Sequence, residues 1–404
     1  MVPEGWDVVA ANTICERISV GIVVKPKDYY VPEGEGIRAF RSANVREGAI
    51  EDRNWVYISD EGHRKNKKSE LQAGDVLVVR TGYPGTACVV TEEYAGSNCI
   101  DIIFARADRT QVLPEFLCMF INSEFGKQQV LDNQGGLAQQ HFNVGSFNVL
   151  KVPLPPLAEQ KRIAEVLGVW DRAIEVAGKQ LDLARTQKRA LMQTLLTPTR
   201  RFPGYEGQPW KEVRLGDVAE IKIGGTPSRA EPAYWAQGED GHTWLSIADL
   251  GPKMLNRSKE TITDEGIRRS NVKLVPAGTV VMSFKLTIGK LGIAAVPLYT
   301  NEAICAITPN SDDSFEPRFL FHLLQVTDLL GDVDQAVKGK TLNKAKLSEL
   351  VIKLPDISEQ RYVAQFLDEQ DELVAAHETQ ITRLQAEKKA LMQQLLTGQK
   401  RLAV

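Results

Sequence analysis

The chain contains a second copy of its own plan. Leu154-Pro155-Pro156-Leu157-Ala158-Glu159-Gln160 returns as Leu354-Pro355-Asp356-Ile357-Ser358-Glu359-Gln360, 200 residues on. From 154 to 197, 16 of 44 positions are identical to those 200 later, where chance gives roughly two or three. A weaker register at offset 204 pairs Trp6 with Trp210, Gly21 with Gly225, Ser42 with Ser246, and Ile58-Ser59-Asp60-Glu61-Gly62 with Ile262-Thr263-Asp264-Glu265-Gly266. It also pairs Ala73-Gly74 with Ala277-Gly278 and Gly85 with Gly289. The expected order is globular 1–150, helical 151–203, globular 204–350 and helical 351–404.

The helical segments carry apolar residues stepping by 4 and 3 after a proline start, the seam of a coiled coil. The first seam is Ile163, Leu167, Trp170, Ile174, Ala177, Leu181, Ala184, Lys188, Leu191 and Leu195. The second is Val363, Leu367, Gln370, Val374, His377, Ile381, Leu384, Lys388, Leu391 and Leu395. About 40 residues at 1.5 Å each give rods of roughly 60 Å. A wet apolar stripe forfeits about 1.5–3 kcal/mol per large side chain, so each rod needs a partner. The nearest partner is the other rod, laid antiparallel, with the two domains related by a pseudo-two-fold axis. Pairing with another chain is the alternative. Gln370, His377, Lys188 and Lys388 would set register.

The globular segments read as mixed α/β or α+β. Leu71–Arg80 and Val275–Phe284 are turns leading into buried β-branched strands. Further β-like runs lie at Gly21–Val24, Cys99–Phe104 and Ile304–Ile307. Pro114–Asn122 and Pro317–Leu324 read as proline-opened helices. The five cysteines are odd in number and never form C-x-x-C, which fits a reducing cytoplasm. No apolar run is long enough to span a membrane, and the N-terminus lacks the build of a signal peptide.

Signals of catalysis are poor. Gly339-Lys340-Thr341 has Asp334 where a phosphate loop needs glycine, and Gly289-Lys290 has Phe284 there. There is no G-x-S-x-G, no H-E-x-x-H and no Asn/Asp-Pro-Pro-aromatic tetrad. The histidines are scattered singly, and no metal site is expected. The chain reads as a binding and positioning protein. Two similar domains on a two-fold frame suit double-stranded DNA. Charge allows only a local DNA face, since residues 1–150 are net −5 and residues 205–350 net −2.

Candidate contacts are the basic loop His63–Lys68, with Arg64, Lys65, Lys67 and Lys68 on phosphates. The Gly-rich tips Arg80–Thr86 and Phe284–Lys290 offer Arg80, Thr81, Tyr83, Lys285, Thr287 and Lys290. Gln139, Gln140, His141 and Asn143, with Lys338, Lys340 and Asn343, precede the rods and carry groups that pair with adenine or guanine. Further candidates are Lys25, Tyr30, Arg41, Thr226, Ser228 and Arg229.

On the residues Pro153–Ala164 and Lys188–Leu196, each repeated 200 later, the chain resembles specificity (S) subunits of type I restriction–modification systems. Gly21–Pro26 with Tyr29-Tyr30, and Gly224–Ser228 with Tyr234-Trp235, resemble the openings of their target recognition domains. The resemblance covers the whole chain. It implies two recognition domains, at 1–150 and 205–350, each reading one half of an asymmetric bipartite site. The rods would set the spacer and dock two methyltransferase (M) subunits, with restriction (R) subunits joining them. S-adenosylmethionine, ATP and Mg would sit on those partners, leaving this chain with no cofactor and no active site. The alternatives are the specificity subunit of a combined restriction–methylation enzyme and a scaffold that binds only proteins.

Overall fold

Two prolines cannot sit inside a helix, and the long helices begin just past them. In the computed structural model they run Leu157–Leu195 and Ile357–Leu396. The structure describes residues 2–133, 142–236, 240–329 and 342–402. The chain packs as two units, Met1–Gly178 with Thr379–Val404, and Lys179–Glu378. Each long helix therefore contributes its first part to one unit and its last part to the other. The boundaries expected at 150, 203 and 350 fall between elements of different type.

In the first unit, Cys15–Val20, Ile102–Ala107, Asp75–Val79 and Ala87–Val89 form an antiparallel sheet in that spatial order. A second sheet orders Asn98–Cys99, Ile37–Phe40, Val56–Ile58 and Tyr30–Val31. Asp7–Ala10 pairs with Lys151–Leu154, the strand that leads into the first long helix. Val76, Val78, Ile103 and Ala105 line one face of the first sheet and pack with Phe116, Leu117 and Phe120 of the helix Pro114–Asn122. Ile163 and Leu167, from the start of one long helix, and Leu395 and Leu396, from the end of the other, complete this core. The helices are thus part of the globular interior.

The second unit repeats the plan. Ala219–Ile223, Ile304–Pro309, Val280–Ser283 and Leu291–Ala294 take the same order, extended by Met254–Leu255. Tyr299–Thr300, His242–Leu245, Glu260–Ile262 and Trp235–Ala236 form the second sheet. Lys211–Arg214 pairs with Val351–Leu354. Its core joins Val280, Met282, Phe319 and Leu320 to Val363, Leu367, Met192 and Leu195.

The two sequence offsets belong to different stretches. Asp7–Ala10 and Ala87–Val89 match Lys211–Arg214 and Leu291–Ala294 at 204, whereas Lys151–Leu154 and the long helices match at 200. Two expected pairings are corrected. Gly21 and Gly224 both donate their N–H to the carbonyl of the first residue of the central strand, Ile102 and Ile304. A Cβ on Gly21 would lie 2.2 Å from the Cys99 carbonyl oxygen, and one on Gly224 would lie 2.1 Å from that of Thr300. Gly224, not Gly225, is therefore the counterpart of Gly21. Likewise Ser246 stands opposite Arg41, not Ser42, because their backbone N–H groups bond Asp249 and Asn44 in matching 3-10 turns. Two β-like runs are also corrected. The strand expected at Gly21–Val24 is Cys15–Val20, with Ile22 making a lone bridge to Ile100. The run Cys99–Phe104 is split between the two sheets at Asp101, whose φ is +49°.

Candidate nucleic-acid interface

The most repetitive motif in the sequence performs an architectural task. Gln160 accepts a hydrogen bond from the Leu113 N–H (2.8 Å) and donates to the carbonyls of Pro155 and Gln111. Gln360 likewise accepts from the Glu316 N–H and donates to Pro355. Each glutamine ties the first turn of a long helix to the globular part beside it. Glu159 and Glu359 are buried and take two-pronged arginine contacts, from Arg401 (2.7 Å twice) and Arg201 (2.6 and 2.5 Å). Burial opposes the charge on Glu159, but Arg401 and the Trp6 N–H outweigh it and hold the carboxyl below its usual range. Both arginines also donate to a backbone carbonyl, Arg401 to Glu4 and Arg201 to Gln208. One partner differs. Trp6 Nε1 donates to Glu159 at 3.0 Å, whereas the buried Nε1 of Trp210 has no partner.

The seam residues named above are all buried or half-buried, and none is exposed. In the first unit Lys388 pairs with Asp171, and in the second Lys188 pairs with Asp371. Within each unit the start of one long helix thus lies against the end of the other, which is antiparallel packing. The second unit adds a polar network with no counterpart among the described residues of the first. Lys253 Nζ reaches Asp368 (2.5 Å) and Asp371 (2.9 Å), and the buried His322 Nε2 lies 2.7 Å from Asp368. Burial keeps His322 neutral, so Nε2 carries the proton and donates, and the unpartnered Nδ1 holds only a lone pair. His322, Asp368 and Asp371 are close enough to hold a cation, but the Lys253 ammonium already occupies that role.

The candidate contacts fall into three groups. The first is outside the described residues: Gln139, Gln140, His141, Lys338 and Lys340. The second is already engaged inside the fold. Asn143 and Asn343 cap helices, accepting from the N–H groups of Ser146 and Lys346 at 2.9 Å. Arg80 bonds Asp101 and the Phe142 carbonyl. Arg41 donates to the Asn54 carbonyl. Thr226 donates to Glu302. Arg229 grips Glu260 with two nitrogens and stacks 3.8 Å over Trp235. A base contact by any of these groups would first break bonds the fold makes. The basic stretch His63–Lys68 is also not the expected loop. It is the end of the helix Asp60–Lys65, capped by Ser59, followed by the 3-10 turn Lys67–Ser69. Lys65 pairs with Glu61 and Lys67 with Glu70, which halves its positive field, while Arg64 and Lys68 are exposed.

The third group lies at the surface, with only Thr81 half-buried. Lys25 and Tyr30 flank the 3-10 turn Pro26–Tyr29, whose Tyr29 packs on Gly62 of that basic helix. Ser228 is exposed. Thr81 and Tyr83, and Lys285, Thr287 and Lys290, occupy the turns that join two strands in the main sheet of each unit. The turns share their bonds: Gly85 N–H to the Val79 carbonyl (3.1 Å), and Gly289 N–H to that of Ser283 (2.9 Å). Tyr83 is 85% exposed and Leu286 95%. Leu286 was not among the candidates; its only sequence signal is an apolar residue inside a Gly- and Lys-containing turn. None of the five cysteines forms a disulfide, and burial pushes the thiols of Cys15, Cys88 and Cys305 up to about 12. Among the described residues, no helix is long and apolar enough to cross a membrane.

Comparison with known proteins follows the duplication. The family model described as "Type I restriction modification DNA specificity domain" matches twice, over residues 3–183 and 207–386. The type I restriction enzyme MjaVIII specificity subunit of Methanocaldococcus jannaschii is 22% identical over 423 residues, covering 99% of this chain and 94% of the relative. A chain solved in work on assembly and conformational transition of the type I R-M system has a similar fold, with a TM-score of 0.64, 21% identity and coverage of 99% and 100%. The S subunit of a type I restriction–modification system from M. genitalium is similar too, with a TM-score of 0.57, 14% identity and coverage of 98% and 96%.

Proposed function

Since the chain belongs to the type I restriction–modification DNA specificity family, DNA sequence specificity is its role, and we propose that it exercises that role as two separate readers. Each globular part, roughly 1–150 and 204–350, reads one half of a bipartite duplex site. The readers share a layout but differ in the side chains at their turns, so the half-sites differ. The long helices set the interval between half-sites and dock two methyltransferase subunits. Those subunits bring S-adenosylmethionine and methylate adenine, and restriction subunits add ATP- and Mg-dependent cleavage. The chain itself holds no cofactor and no catalytic group.

The observation that carries this reading is the doubled family match, with one globular part and one long helix in each copy. The exposed cations Lys25, Arg64, Lys68, Lys285 and Lys290 support phosphate contact without reading bases. Methylome sequencing of a host expressing the chain with its methyltransferase partner tests the reading. The expected result is one asymmetric motif with a fixed gap. Adding a heptad to both helices should lengthen the gap and leave the half-sites unchanged; altered half-site bases would defeat the spacer role. If the chain binds no duplex at low salt, with or without the partner, it is a protein scaffold instead.

A further inference from the structure

The two turns at the sheet ends are one design with a single exchange at the tip. At the position where the first turn has Gly82, with φ +84°, the second has Leu286, with φ +61°. Glycine adopts that left-handed conformation freely, and leucine is disfavoured there. Leu286 earns nothing back from packing, because it is 95% exposed. Folding alone therefore favours glycine at 286. Strain of this kind persists where function requires the side chain. Lys285 and Lys290 flank the tip and are exposed, while Glu302, which feels Lys285, is bonded to Thr226. In the first turn the large exposed residue is Tyr83, next to Gly82.

We propose that Leu286 is a wedge that enters a base step of the half-site read by the second unit, with Tyr83 acting in the same way in the first. This rests on the DNA-reading role proposed above. The occupant is duplex DNA, the ligand of the role above: it offers a stack of apolar faces beside a rail of phosphates, which Leu286 and the flanking Lys285 and Lys290 match. Apolar side chains of this type unstack a step and kink the duplex, and an aromatic ring can stack on the base so released.

The test uses the chain with its methyltransferase partner and a duplex carrying the methylome motif. 2-Aminopurine replaces each half-site base in turn, and its fluorescence rises when it loses a stacked neighbour. Apart from the methylated adenine, which the partner itself extrudes, a rise at one step in each half-site is expected for the native chain. Leu286→Gly should abolish the rise in the half-site read by the second unit, weaken binding to the motif about tenfold, and raise the thermal midpoint. Leu286→Met, still apolar, should keep the rise. An unchanged rise in the second unit's half-site in Leu286→Gly, or no rise outside the methylated adenine while motif binding is intact, would refute the wedge and leave sequence reading standing. Equal binding to motif and scrambled duplexes would remove the reading role, and the wedge with it.

Discussion

Trp6 and Trp210 occupy equivalent places but differ in one bond, so they form a matched pair for measuring that bond. Each lies beside the arginine that grips the helix-start glutamate, with Arg401 5.7 Å from the Trp6 ring and Arg201 5.9 Å from the Trp210 ring. Replacing either by phenylalanine loses ring packing, more at the buried Trp6 than at the half-buried Trp210. Trp6→Phe also loses a hydrogen bond to an ionised carboxylate, about 1.5–3 kcal/mol. Trp210→Phe instead removes a buried N–H with no partner, relieving about 1–3 kcal/mol. Subtracting the two cancels most of the packing loss and leaves about 2.5–6 kcal/mol from the bonds, Trp6→Phe being the costlier. Hydrogen exchange read by mass spectrometry on the central strands, Ile102–Ala107 for one unit and Ile304–Pro309 for the other, reports each unit separately. Equal losses in the two variants, or a larger loss for Trp210→Phe, would refute the reasoning.

Gly224→Ala should cost more than about 2 kcal/mol, because its Cβ would meet backbone, whereas Gly225→Ala should cost less, because its nearest neighbour is the movable Asn271 side chain; urea midpoints rank them. Lowering the pH should weaken the network around Asp368 in the second unit. His322 and Lys253 outweigh burial and hold Asp368 down to about 2, against an ordinary carboxyl value of 3.8, so its contribution is present above the unfolded value and lost as pH falls through 4 toward 2. With water still reaching the group, that contribution is about 1–2 kcal/mol, and Asp368→Asn should flatten the acid limb of a stability–pH curve. Lys388→Glu should destabilise the first unit by about 0.5–1 kcal/mol, and adding Asp171→Lys should restore most of it if the helices pair as described.

The parts legible in the sequence were those whose signals are local and periodic. The seams from Ile163 to Leu195 and from Val363 to Leu395 follow a step of 4 and 3, and each seam position is shielded in the structure. The glycine pairing slipped because Gly224 and Gly225 are adjacent, and only the hydrogen bond to the central strand distinguishes them. Two local signals encode structure and not DNA contact. Ser59 before Asp60-Glu61, with Lys65 four residues after Glu61, is a helix start with an internal ion pair, not a basic loop. Asn143 and Asn343 each precede a short helix and are spent as caps. Leu286 was illegible for a different reason: its significance is a backbone angle, which no residue pattern encodes.

The arginine contacts beside the two tryptophans bear on where the polypeptide could be opened. Arg201 donates to the carbonyl of Gln208, and peptide bonds connect those residues directly. Arg401 donates to the carbonyl of Glu4, and there hydrogen bonding alone makes the connection. The two junctions thus make the same contact, one with a covalent link and one without. Joining residue 402 to residue 2 while opening the chain between 202 and 207 would preserve the arginine contacts at both, so a permuted gene should encode the same pair of units in reversed order.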